Sequence, residues 1–167
     1  MPINHVSLPT GASNYKVMRD FYLNSLQPLG YKVYMEQVDC FLGLQAPRAG
    51  PDIWLHCGGG DFPRLDPCLS AQENLEGKSR VHLAIDVGSR KKVDEWYRAA
   101  LKAGGICNGA PGERSYANGY YAAFVLDPLG NNIEAVHFNP LWLQLLKVAP
   151  GVLVGVVGVI FGRFVLG

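Results

Sequence analysis

The sequence predicts an α+β domain made of two βαβββ modules, whose strands form a curved mixed sheet with the helices on its outer face. Three observations carry this reading. The order of one alternating strand, one helix and three strand-like runs occurs twice. Apolar spacing changes from a period of two to a period of 3.6 at matching places in both copies. Finally, 49% of the 167 residues are hydrophobic, enough for one sizeable core. The repeat sets the boundaries: a domain over 1–140, with modules at about 2–58 and 79–138, a linker over 59–78, and a hydrophobic tail over 141–167.

In the first copy, "INHVSLP" alternates as a strand, and Ser13 then stands as a candidate N-cap before a helix with Met18, Tyr22, Leu26 and Leu29 on one face. Gly30 stops that helix, and "YKVYMEQ", "DCFLGL" and "DIWLHC" read as the next three strands. The linker "GGGDFPRLDPCLSAQENLEGKS" is rich in Gly, Pro, Asp and Ser and reads as a loop. The second copy starts with "RVHLAIDV", passes Ser89 as an N-cap, and forms a helix whose inner face holds Val93, Trp96, Tyr97, Ala100 and Leu101. A glycine stop follows, then strands from Ile106, in "YYAAFVL" and in "NIEAVHF". His5 matches His82 between the copies. "GPDIWLH" and "GNNIEAV" superpose on their glycines, which pairs Ile53 with Ile133 and Trp54 with Glu134.

Charge excludes several function classes. Lys and Arg (15) nearly balance Asp and Glu (14), are scattered, and leave a net charge of +1, so nothing favours nucleic acid or an anionic membrane surface. A small-molecule partner is expected instead. The start "MPINHVSLPT" lacks the pattern of a signal peptide, which places the domain in the cytoplasm as an expectation. Cys40, Cys57, Cys68 and Cys107 have no C-x-x-C spacing and read as free thiols.

The tail "LWLQLLKVAPGVLVGVVGVIFGRFVLG" lies outside the repeat. Gly151, Gly155, Gly158 and Gly162 give two G-x-x-x-G spacings in a Val-rich run, a pattern that suits helix packing in lipid. The uncharged stretch from Val148 to Gly162 is shorter than the roughly 17 to 25 residues that span a bilayer, unless Lys147 and Arg163 snorkel. A membrane tether, a packed extension and a mistranslated gene end all remain open for it.

Strand parity gathers the chemistry. In "VHLAIDV", Val81, Leu83, Ile85 and Val87 form the greasy face, which leaves His82, Ala84 and Asp86 on the other. In "NIEAVHF", Glu134, Val136 and Phe138 oppose Ile133, Ala135 and His137, so Glu134 can join His82. In the first strand, Val6 and Leu8 take the helix side and His5 points to the concave one. Two imidazoles and one carboxylate on one curved sheet suit a divalent ion such as Fe, Zn, Mn, Ni or Co, with coordination positions left open. The plainer alternative is that each histidine is a hydrogen-bonded strand residue and that Glu134 pairs with a cation.

The paired modules, the histidine in each first strand and the "DPLGNNIE" turn together resemble the vicinal oxygen chelate superfamily, which includes glyoxalase I, extradiol dioxygenases, and the fosfomycin and bleomycin resistance proteins. The resemblance covers about residues 2 to 138. It implies a cup-shaped sheet that holds a divalent metal on which substrate oxygens chelate, and module pairing within one chain or in a homodimer. Its ligand positions fall on His5, His82 and Glu134. Two departures stand out. Trp54 occupies the fourth-strand position where glyoxalase I carries a further carboxylate, and Phe124 stands where extradiol dioxygenases place a tyrosine. His56, of the same parity as Trp54, is a candidate fourth ligand or general base, or else a polar residue at a strand end. Tyr121 is a candidate catalytic tyrosine, with Tyr116 and Tyr120 nearby. Trp54, Tyr116, Arg114, Asn118 and Phe124 are the expected pocket residues. Two functions follow: a metal-dependent lyase, isomerase or dioxygenase acting on a carbonyl, enol or catechol-like substrate, or a protein of the bleomycin-resistance kind that sequesters a planar small molecule without turnover.

Overall fold

A computed structural model describes residues 3–47, 50–75 and 81–139. The first module runs β1 (Val6–Pro9), α1 (Tyr15–Leu26), a 3₁₀ turn (Gln27–Leu29), β2 (Lys32–Gln37), β3 (Phe41–Gln45) and β4 (Pro51–His56). A short α2 (Ala71–Leu75) precedes the second module: β5 (His82–Asp86), α3 (Arg90–Lys102), β6 (Ile106–Glu113), β7 (Tyr120–Leu126) and β8 (Asn132–Phe138). Each module forms its own four-stranded mixed sheet, in the orders β1-β4-β3-β2 and β5-β8-β7-β6. In each, the first and last strands pair in parallel and the other pairs are antiparallel.

The registers bear out the repeat. Val6 and Ser7 lie opposite Ile53 and Trp54, and Leu83 and Ala84 lie opposite Ile133 and Glu134. Matching residues therefore sit at matching rungs.

The helices form for different local reasons. Ser89 caps α3 by accepting a hydrogen bond from the Lys92 backbone N–H, which satisfies one of the first-turn donors that lack an intrahelical partner. Val93, Trp96 and Ala100 are buried on its inner face, as their spacing requires. In α1 the cap falls on Asn14 rather than Ser13, and without a side-chain cap bond. The reason is tertiary: the Ser13 N–H goes to Asp61 and the Asn14 side chain donates to the Phe62 carbonyl, which ties the helix start to the loop after β4. Gly30 ends the following turn at φ +84°, a conformation that glycine adopts without strain. The linker read as loop contains α2, whose start is a capping box: the Ser70 N–H donates to the Glu73 carboxylate and the Glu73 N–H to Ser70 Oγ.

One core joins the modules. Met18, Phe21 and Tyr22 of α1 and Trp96 of α3 are buried together with Leu42, Leu55 and Ile133 from the two sheets. The Tyr22 hydroxyl crosses from the first module to donate to the buried Asp127 carboxylate at 2.9 Å. Asp127 also accepts from the Leu129 and Asn131 backbone N–H groups and from the Asn131 amide, so the "DPLGNN" turn is a fully bonded clip. The expectations for 141–167 lie outside the described residues. Among the described residues, no helix is long and apolar enough to cross a membrane.

Candidate functional site

A cavity of about 770 Å³ opens along β1 and β5, and both His5 and His82 line it. Its walls include His5 and Val6 on one side, His82 and Asp86 on the other, and Asp52 and Lys92. Among the described residues β1 and β5 each pair with one strand, so the two sheets stay separate here instead of joining into one.

The second module supplies the polar part. Glu134 is 2% exposed, because the face it shares holds Ala122, Phe124 and Val136. A carboxylate in such surroundings needs partners, and both of its oxygens have one. Oε2 lies 2.9 Å from His82 Nε2, and Oε1 accepts from the Tyr120 hydroxyl at 2.8 Å. Burial and the Glu134 carboxylate push the Tyr120 phenol up to about 12, which keeps it protonated as a donor. His82 itself is half exposed and leads from the buried carboxylate to the cavity.

The first module is aromatic at the matching place. The Trp54 indole lies over Gly43, where an added Cβ would come within 2.8 Å of the ring. His5, Tyr34 and Phe41 surround Trp54 at centroid distances of 6.4, 6.3 and 6.1 Å. His5 sits one residue before β1 and turns Nδ1 to Asn4 Oδ1 at 2.8 Å.

The structure therefore joins two of the three expected ligands. Among the described residues, no three His, Cys, Asp or Glu side chains stand close enough to hold one ion together. His82 and Glu134 do fit a divalent cation by their chemistry, one neutral nitrogen and one anionic oxygen. Their 2.9 Å separation also matches two neighbouring donors each roughly 2.1 Å from one ion. His5 shares the cavity but not this contact.

The other expected residues divide by face and by position. His56 ends β4 with its ring against Gly58 and is not part of the cavity wall. Tyr121 points to the helix side, where its hydroxyl donates to Asp94 at 2.9 Å under the Arg90 guanidinium. Tyr120, of opposite parity, is the tyrosine at Glu134, and the alternation of β7 was the signal for it. Tyr116 is exposed and meets the Tyr120 ring edge-on. Arg114 donates to the Ala110 and Ala122 carbonyls and stacks over Phe124, so it clamps the β6–β7 hairpin. Asn118 is exposed in the turn before β7.

No protein-family model matches the chain, and no curated protein does. Solved structures do. A glyoxalase/bleomycin resistance protein/dioxygenase family enzyme from Burkholderia phytofirmans PsJN is 22% identical, with a TM-score of 0.55 over 83% of this chain and 100% of that one. A glyoxylase/bleomycin resistance protein/dioxygenase domain from Frankia sp. EAN1pec gives 21% and 0.55, over 83% and 98%. Lactoylglutathione lyase from Agrobacterium tumefaciens gives 16% and 0.53, over 81% and 92%. These likenesses show the fold: the chain shares the architecture of these glyoxalase, bleomycin-resistance and dioxygenase structures.

Proposed function

We propose that the cavity along β1 and β5 takes a small oxygen-bearing substrate of the carbonyl, enol or catechol-like kind, and that the chain is a metal-dependent enzyme of the glyoxalase and dioxygenase type. One observation carries this: a carboxylate buried among apolar side chains is joined to a half-exposed imidazole that lines the cavity. His82 and Glu134 are the residues that would hold a divalent ion, and His5 lines the same cavity. Such an ion, when bound, polarises a substrate oxygen as a Lewis acid.

The protein groups have work of their own. Glu134 orients the His82 ring through the 2.9 Å contact at Nε2. The Tyr120 hydroxyl holds the second carboxylate oxygen, which fixes the direction of the first.

A second reading rests on Trp54. Its half-buried indole, ringed by His5, Tyr34 and Phe41, is a stacking surface for a planar molecule bound without turnover. Metal analysis of the freshly purified protein, followed by titration with Zn²⁺ and Mn²⁺, separates the two. One metal per chain supports the enzyme. A metal-free protein that takes up no added ion but quenches Trp fluorescence on binding planar aromatics supports the binder.

A further inference from the structure

Cys40 and Cys57 lie 17 residues apart in sequence yet directly opposite each other in space. Antiparallel pairing of β3 with β4 sets Phe41 against His56, and the next rung outward is Cys40 against Cys57, closed by a backbone hydrogen bond from Cys57 N–H to the Cys40 carbonyl at 2.8 Å. Residues opposite one another on paired strands project from the same face. One of the two bonds of a hydrogen-bonded pair is thus made, and such pairs hold their Cα atoms roughly 5.5 Å apart, inside the range of a relaxed disulfide.

Both sides of the rung are fixed. Cys40 is the first residue after the β2–β3 turn, closed by its own N–H on the Gln37 carbonyl with Asp39 at φ +56°. Cys57 packs partly buried against the common core. Burial, with Cys57 alongside, raises the Cys40 thiol above its ordinary value. Both are free and half-buried, whereas Cys68 and Cys107 are exposed.

The geometry points to Cys40 and Cys57 as a thiol–disulfide couple that a peroxide closes within one chain. One sulfur attacks a peroxide oxygen; the S–O bond forms, the O–O bond breaks, and the departing hydroxide leaves as water with the thiol proton. The second sulfur then attacks the resulting sulfenic acid; the S–S bond forms, the S–O bond breaks, and a second water leaves with the second proton. Two electrons pass from the two sulfurs to one hydrogen peroxide. Thiol-reducing agents reverse the step. The pair sits on the helix-facing side of the first sheet, so it is independent of the chemistry proposed for the cavity.

The test uses the full chain carrying Cys68→Ser and Cys107→Ser, treated with one equivalent of hydrogen peroxide. Free thiols should fall from two to none per chain, the protein should stay monomeric under non-reducing denaturing electrophoresis, and dithiothreitol should restore both thiols. Trypsin cuts after Lys32, Arg48 and Arg64, so Cys40 and Cys57 fall in different peptides and the linked pair is read directly by mass. Adding Cys40→Ser or Cys57→Ser should abolish the link and leave a sulfenic acid that dimedone traps, with circular dichroism confirming that each variant is folded. Disulfide-linked dimers, over-oxidation without the 33–48 to 49–64 linkage, or unreacted thiols in the folded protein would overturn the inference.

Discussion

The two modules share one backbone frame and differ in what stands on it. At the rung where Ser7 faces Trp54, the second module has Ala84 facing Glu134. Around Trp54 the neighbours are aromatic: His5, Tyr34 and Phe41. Around Glu134 they are hydrogen-bonding groups, His82 and Tyr120. Even the strand that carries the large ring has changed, since Trp54 of β4 lies over Gly43 of β3, whereas Phe124 of β7 lies over Gly109 of β6. Duplicated topology thus supplies two equivalent seats, and a single residue at each decides whether it is a polar centre or an apolar wall.

The largest effect should come from neutralising the polar seat. Glu134→Gln keeps the shape of the side chain but removes the negative charge that His82 meets at 2.9 Å. Affinity for Zn²⁺ or Mn²⁺, measured by titration calorimetry, should fall at least about 100-fold, while Trp54→Phe should leave it within about twofold. Equal losses in the two variants would mean that the modules share one centre.

Next in size is the clip that fastens the modules. In Asp127→Asn the amide must present N–H groups toward the Tyr22 hydroxyl or the Asn131 amide, and the loss should be about 2 kcal/mol in urea unfolding. Its pH dependence has a definite sign. Burial raises the Asp127 carboxyl above its ordinary 3.8, against four hydrogen bonds that favour the anion. The folded state then holds this proton more tightly than the unfolded chain. Its contribution is complete below pH 3.8 and declines as pH rises through the folded value. The substituted amide does not titrate, so the gap between wild type and variant should be widest in acid and narrow toward neutral pH.

Much of this was legible because strand parity is a local property. Alternation in "VHLAIDV" and "NIEAVHF" was enough to put His82 and Glu134 on one face, and the contact at 2.9 Å follows from it. What was not legible depended on tertiary context. The sequence does not say that β1 begins at Val6, one residue after His5, nor that His5 turns to Asn4. The Tyr120 and Tyr121 pair was ambiguous only until the direction of β7 was known; parity then sends one to Glu134 and the other to Asp94. Ser70 and Glu73 carried a capping-box signal that the Gly and Pro content around them masked. The facing of Cys40 and Cys57 required the β3–β4 register, which no spacing motif encodes.

The smallest expected effect probes the apolar seat by itself. A methyl group at Gly43 would meet Trp54 carbons at 2.8, 2.8 and 3.0 Å, closer than carbon atoms approach, so the indole must tilt away from β3. The ring is half-buried and its outer edge has room to move, which limits the cost of Gly43→Ala to about 1 kcal/mol. Trp96 is fully buried in the core, so a change in fluorescence, read against a Trp142→Phe background, should report Trp54. Its emission should shift to the red as the ring lifts into water, with metal affinity unchanged. If Gly43→Ala instead weakened Zn²⁺ or Mn²⁺ binding as strongly as Glu134→Gln, Trp54 would be a wall of the metal seat and not a separate surface, and the contrast between the modules would collapse into one site.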